Sequence, residues 1–352
     1  MERDAFDGGG AMMEVHTQDI RAGVEPTAET IRGDCIVGIE LGGTKIICTL
    51  ARDHDEIVET RRLATRDPVS TLADIERILD GWMRMHDVRA LGIGSFGPIE
   101  LNRSSDDFGR IGKTTKPGWH GADVVQRLMR RYDVPTGADT DVNAAALAEG
   151  RWGAARGLSS WTYITVGTGV GAGIVVGGQT VHGLGHPEAG HMLVRREPGD
   201  DWEGSCPFHG DCVEGLVSGP AIERRTGMSG DAIADDHPVW EHVADALATM
   251  MHNMLFTVVP ERILLGGGVP SRRPFLIPMI RSRLESRMGG YAGSDVIAAQ
   301  LETLLVAPGL GDEAGPMGSL ALALDALQQT IEPGAVAQAC FSEVIHDQRG
   351  LL

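Results

Sequence analysis

Cysteine is scarce in this chain: Cys35, Cys48, Cys206, Cys212 and Cys340 are all that 352 residues contain. An odd, sparse set excludes a disulfide framework and leaves reduced thiols, with metal binding open to them. Basic residues are also few, 31 Lys and Arg against 49 Asp and Glu, for a formal net charge of −18. That balance opposes attraction to nucleic acid and to anionic membrane, so neither is expected as a partner, although a local basic pocket is compatible with it. No uninterrupted apolar run approaches the length of a membrane span. The opening MERDAFDGGG has neither a basic lead nor an apolar segment behind it, and a cytoplasmic protein is expected.

What is present is a chain that is 42% hydrophobic and long enough for two domains. Residues 1–33 are acidic, carry a triple glycine and are predicted to be a disordered tail. The folded part is expected as an α/β domain over 34–153 and a second over 154–335 containing a metal-binding loop at 191–212. A tail or helix over 336–352 completes the chain. CIVGIELGGTKIICTLARDHDEIVETRRLAT reads as three strands with a glycine turn after the first and Asp53–Asp55 in the second turn. TLADIERILDGWMRMH has helical apolar spacing, and VRALGIGSFGPIE supplies a further strand ending in glycines. WTYITVGTGVGAGIVVGGQTVHG repeats the opening hairpin in kind, which suggests two related α/β domains with facing glycine turns. The terminal SLALALDALQQTI is expected to cross back or pack at their junction.

LGGTK, residues 41–45, exposes successive backbone N–H groups and the Thr44 hydroxyl, a combination suited to phosphate oxygens. GTGVGAG at 167–173 offers a second such turn, and ILLGGGVP at 263–270 a third strand-to-glycine transition. Two apparent motifs fail. DFGRIGKTT has Asp107 where a Walker A loop needs glycine, and GIGSFG is followed at once by Pro98 rather than by a helix. Lys113 in the first of these and Lys116 just after it stand between a source of local positive charge and a solvated loop.

GADTDVNAAALAE places Asp139 and Asp141 between a strand end and a helix start. Phosphoryl transfer to an alcohol needs a carboxylate within reach of the attacking hydroxyl, and Asp141 is a candidate; a helix cap is the competing role. Glu100 and Asn102 in FGPIELNR, with Glu188 and Glu214 further on, are of the type that hydrogen-bonds polyols. Cys206, His209 and Cys212 form C-x-x-H-x-x-C, with His191 fifteen residues before Cys206. These four make a complete tetrahedral set for structural zinc, with His182 and His186 as alternatives to His191. A closed set leaves no position for water activation, so zinc is expected to brace a loop bracketed by Glu188 and Glu214.

IELGGTK, GIGSFGPIELN, TKPGWHGADV, DTDVNAAALAEGRWGAA, TVGTGVGAGI, GHPEAGH, CPFHGDCVEGLVSGPAI, ILLGGGV and PGLGDEAGPMGSLALA occur in this order from about residue 36 to 325. Together they resemble the ROK family of sugar kinases, especially its bacterial fructokinase members. The resemblance implies an α/β, actin-like ATPase (ribonuclease H-like) fold, with two domains around a nucleotide and sugar cleft. It implies ATP and Mg²⁺ held near Gly42, Gly43, Thr44, Lys45, Thr168, Gly169, Gly266 and Gly267, and Asp141 as the base for the sugar's 6-hydroxyl. Glu188, His191 and Glu214 would line or support the sugar site, and His191, Cys206, His209 and Cys212 would match the zinc motif. It also makes a homodimer the expected assembly. His209 replaces a sulfur ligand found in many members, a form that fructokinase-like members share. Thr140-Asp141 stands where glucose-selective members often carry Asn-Asp, which favours D-fructose, with glucose, mannose and N-acetylmannosamine as alternatives. A sugar-responsive regulator of the same family would need a DNA-binding helix-turn-helix, for which the 33-residue acidic tail is too short.

Overall fold

The computed structural model describes residues 34–291 and 294–331, so the tails expected at 1–33 and 336–352, with Cys340, lie outside the described residues. The chain builds two five-stranded sheets. In the first, β1 (Asp34–Leu41), β2 (Lys45–Asp53) and β3 (Glu56–Ala64) form an antiparallel meander. Helix α1 (Pro68–Met85) returns the chain to β4 (Asp87–Ser95), parallel to β1, and α2 (Val125–Arg131) leads to β5 (Thr136–Thr140), parallel to β4. Helix α3 (Asp141–Trp152) follows directly.

The second sheet repeats the scheme. β6 (Trp161–Val166), β7 (Val170–Val176) and β8 (Gln179–Thr180) are antiparallel. Helices α4 (Val213–Val217), α5 (Gly219–Thr226) and α6 (Val239–Leu255) precede β9 (Arg262–Gly266), which runs parallel to β6. Then α7 (Gly268–Arg272), α8 (Leu276–Met288), α9 (Ser294–Ala299) and α10 (Leu301–Leu304) lead to β10 (Leu305–Val306), parallel to β9, and α11 (Ala314–Ile331) follows. The orders β3-β2-β1-β4-β5 and β8-β7-β6-β9-β10 are the same arrangement twice. The turn at 42–44 in one sheet therefore corresponds to the turn at 167–169 in the other. Among the described residues no helix is long and apolar enough to cross a membrane.

Strand alternation decides what each face of the first sheet meets. Cys35, Val37, Ile39 and Leu41 of β1 join Leu72, Ile75, Leu79 and Trp82 of α1 in one core cluster. That helix starts where Asp67 accepts a hydrogen bond from the Ser70 amide at 2.9 Å, with Pro68 at its first position. Ile36 faces the other way and packs with Leu320 and Ala323 of α11. Gly38, Gly92 and Gly137 lie side by side in the registers of β1, β4 and β5. A Cβ at Gly92 would sit 1.9 Å from the Ser319 carbonyl oxygen and one at Gly137 would sit 2.3 Å from that of Leu322, so α11 lies directly on the sheet backbone.

The mirror relation holds for α3. It leaves the first sheet and packs on the second, with Ala145 and Ala146 in a cluster with Trp161, Tyr163 and Val175. A Cβ at Gly173 of β7 would meet the Val142 carbonyl oxygen at 2.1 Å. Each sheet is thus covered on one face by the helix that follows the other sheet's parallel strands, and α3 and α11 cross where a Cβ at Gly318 would fall 2.3 Å from the Ala144 carbonyl carbon. Glu149, fully buried, secures the crossing: its carboxylate accepts from the amides of Ala154 at 2.7 Å, Gly309 at 3.0 Å and Leu310 at 2.8 Å.

Candidate active site and metal-binding loop

Between the two sheets lies a cleft of about 780 Å³. Its walls include both glycine turns, at Gly43–Thr44 and Gly167–Gly169, together with Asp141, Glu188, His191, His209 and Glu214. Lys113 and Lys116 also face it. A second cavity of about 420 Å³ shares Gly167 and Thr168 with the cleft and is walled by Ile222, Trp240, Val269 and Arg273. The Arg273 guanidinium lies 5.2 Å from the centre of the Trp240 ring.

Asp141 is the first residue of α3, but it is not the cap. The Thr140 hydroxyl accepts from the Asn143 amide at 3.1 Å, and the Asp141 carboxylate takes only the adjacent Val142 amide, at 2.9 Å. The carboxylate therefore stays directed by the helix start while remaining available to the cleft. Desolvation by the cleft walls pushes its pKa up to about 6; the Val142 amide opposes the rise and the Glu188 charge adds to it. Asp139, two residues earlier, is spent on structure. One oxygen accepts from the Thr140 amide at 2.7 Å and from the Asn143 side-chain amide at 2.8 Å. The other meets the Thr180 hydroxyl and His182 Nε2, each at 3.0 Å. This pairing raises the pKa of His182.

Glu188 and Glu214 reach the cleft in different ways. Burial raises the pKa of Glu188, whose carboxylate lies 3.6 Å from His186 Nδ1. The opposite nitrogen of that ring accepts the Ile99 amide at 3.1 Å, which places the proton of neutral His186 on the side of Glu188. Glu214 accepts from the Val170 amide at 3.0 Å, and a Cβ at Gly169 would sit 2.7 Å from its carboxylate oxygen, so this side chain shapes the second glycine turn. Glu100 and Asn102 are not brought to the cleft. Glu100 accepts from the Asn102 amide at 2.8 Å and Asn102 from the Ser104 amide at 3.0 Å, bonds that build their own turn.

Of the glycine-motif residues, Gly43, Thr44, Thr168 and Gly169 line the cleft. Gly42 donates to the Lys45 carbonyl at 3.0 Å and closes the turn behind them, while Lys45 lies outside the cleft wall. Gly266 ends β9, and Gly267, at φ 91°, leads to Gly268 at the second cavity. The ligand atoms of His191, Cys206, His209 and Cys212 lie within 4.8 Å of one another. Cys206 Sγ is 3.7 Å from His191 Nδ1 and 3.8 Å from His209 Nδ1, and Cys212 Sγ is 3.5 Å from His191 Nδ1. A tetrahedral zinc with its usual bond lengths would separate S and N ligands by about 3.6 Å, so this donor set fits that ion. The alternatives His182 and His186 are engaged with Asp139 and Ile99 instead.

Glu40 was missed by sequence reasoning. It shares the face of β1 that carries Ile36 and Gly38, so its side chain runs under the start of α11, where a Cβ at Gly315 would lie 2.2 Å from it. Its Oε2 is buried with no hydrogen-bond partner among the described residues. Burial first, and the neighbouring Asp141 charge second, raise its pKa to about 7. An acidic residue in a buried strand, just before LGGT, was the available signal. A paired, partly orphaned set of carboxylates is the donor chemistry that a hard divalent cation takes.

The ROK family model matches residues 36–326, and the chain belongs to that family. Fructokinase of Zymomonas mobilis is 41% identical over 293 residues, spanning 82% of this chain and 96% of that protein. Fructokinase of Pediococcus pentosaceus is 38% identical over 290 residues, spanning 82% and 98%. Among solved structures, a ROK family glucokinase from Streptomyces griseus in complex with glucose and AMPPNP superposes with a TM-score of 0.65 at 24% identity, over 83% of this chain and 99% of that one. The repeated sheets with interleaved helices are the two-domain α/β architecture of that fold.

Proposed function

We propose that the chain is an ATP-dependent fructokinase that transfers the terminal phosphoryl group of ATP to the 6-hydroxyl of D-fructose. The observation that carries this reading is Asp141, at the start of α3 but not serving as its cap, raised in pKa and facing a cleft walled by both glycine turns. The family membership and the fructokinase relatives support the choice of kinase chemistry and of sugar.

The base and ribose fit the second cavity beside Trp240 and Ile222, and the phosphates pass Gly167 and Thr168 into the cleft. Backbone N–H groups of both turns then cradle phosphate oxygens. Asp141 orients the sugar hydroxyl and accepts its proton as the oxygen attacks phosphorus, and the bond to the bridging oxygen breaks with its electrons left on ADP. Glu188, beside His186, and His191 accept or donate hydrogen bonds to the other hydroxyls, while Glu214 positions the turn at 169–170. Magnesium bound with ATP would neutralise phosphate charge, and Glu40, with its unpartnered Oε2, would be the carboxylate to hold it. Zinc on His191, Cys206, His209 and Cys212 would brace the sugar wall, its closed set leaving no site for water. The domain limits 34–153 and 154–335 and the homodimer belong to the same proposal; a sedimentation mass of one chain would remove the dimer.

A coupled ADP-release assay across fructose, glucose, mannose and N-acetylmannosamine tests the substrate. The expected result is highest kcat/KM for fructose with a 6-phosphate product; preference for another hexose would replace fructose in the reading.

A further inference from the structure

The cleft is short of positive charge for the chemistry assigned to it. Its walls carry Asp141, Glu188 and Glu214, with Glu40 buried behind, and in a chain of net charge −18 the lysine and arginine side chains facing it are Lys113 and Lys116 alone among the described residues. Backbone N–H dipoles can cradle phosphate and magnesium bound with ATP would offset part of its charge, but a phosphoryl group moving past several carboxylates calls for cations on the protein as well.

The segment that carries these lysines is fixed at both ends. The Gly112 amide donates to the Pro98 carbonyl at 2.7 Å. Trp119 is fully buried, donates from Nε1 to the Arg66 carbonyl at 2.9 Å, and packs edge-on against Phe96 with ring centres 5.1 Å apart. Between these anchors Lys116 donates to the carbonyl of Gly43 in the first glycine turn. Lys113 lies 5.8 Å from the centre of the Phe208 ring, beside the metal-loop ligand His209. The segment therefore runs from the phosphate turn to the sugar wall, along the path that a transferred group must take. If the nucleotide enters as proposed, from the second cavity past the shared Gly167 and Thr168, its terminal phosphate is the part that reaches this side.

We propose that Lys113 and Lys116 form a cationic clamp for the phosphoryl group in transit, with Lys116 on the terminal phosphate of ATP and Lys113 on the phosphate ester of the product. This inference rests on the kinase reading and assigns to Lys116 the role that the sequence motif placed at Lys45. The lysines keep their protons throughout and change no bond; they bind the group that leaves the nucleotide and the ester that it becomes. Without them the anionic walls oppose the incoming phosphate.

The test compares Lys116→Met, Lys113→Met and both Lys→Arg variants by equilibrium titration with ATP, ADP and the sugar 6-phosphate, and by initial rates. Lys116→Met is expected to weaken ATP binding about tenfold while ADP binding and the sugar KM change less than about twofold, with Lys116→Arg restoring most of the difference. Lys113→Met is expected to weaken binding of the sugar 6-phosphate by a similar factor. Equal loss of ATP and ADP affinity, or no loss in either Met variant, would overturn the clamp. The ATP-against-ADP comparison needs no turnover, so it stands apart from failure of the fructokinase reading, which would appear as a parent enzyme inactive on fructose.

Discussion

At Asp141 the folded chain holds a carboxyl whose pKa, about 6, lies above that of the same group in an unfolded chain, about 3.9. The folded state therefore binds this proton more readily, and the contribution favours folding at acid pH and is lost as pH rises through about 6. Activity is expected to run the other way, because Asp141 can serve as the proposed base only when ionised. We expect kcat/KM to fall as pH drops below about 6, and Asp141→Asn to reduce kcat by roughly 10²-fold or more, the usual scale of a lost general base. The same variant should melt a few degrees higher at pH 7, since it removes a charge that the cleft desolvates. Paired rate and melting measurements check both signs; an active variant, or one that melts lower with intact structure, removes Asp141 from this role. Glu40 was not legible as a site residue, and His186 was legible only as an alternative metal ligand. The tautomer of His186 is set by an amide 87 positions away in the chain, and the isolation of Glu40 by a helix that begins at Ala314.

The candidate metal-binding loop shows what spacing can and cannot reveal at the level of elements. C-x-x-H-x-x-C was readable because a turn of that length must bring its side chains together. Spacing also favoured His191 but left His182 open as an alternative, and the fold ties His182 to Asp139 on β5. Cys212 immediately precedes α4, and Glu214 sits in the first turn of that helix, so a metal at Cys212 steadies the carboxylate that fixes the second glycine turn. We expect one zinc per chain by elemental analysis. His209→Ala should lower the melting temperature and raise the sugar KM about tenfold, with a smaller effect on kcat. Unchanged melting and KM in a verified zinc-free protein would separate the loop from both tasks.

For the whole molecule, the sequence displayed the repeated hairpins plainly, because strands and glycine turns are local patterns. It did not display the glycine row of Gly38, Gly92 and Gly137, since these residues are far apart until β1, β4 and β5 pair. Nor did local patterning show why α3 and α11 carry so many small residues: each approaches the sheet backbone closely at glycines such as Gly92 and Gly173. Gly92→Val is expected to destabilise the protein by about 2 kcal/mol or more, because even its Cβ would fall 1.9 Å from the Ser319 carbonyl oxygen and must push α11 away. A urea midpoint equal to that of the parent would show that the helix can shift without cost.

The exchange of α3 and α11 also sets an order of events on the ribosome. The first sheet is complete when Thr140 has been made, yet the helix that covers its Ile36 and Ala90 face begins only at Ala314. At the usual pace of synthesis that apolar face waits on the order of ten seconds or more for its cover. The first half emerges as an unfinished product that must be sheltered, and the chain becomes sound only when nearly all of it has been translated.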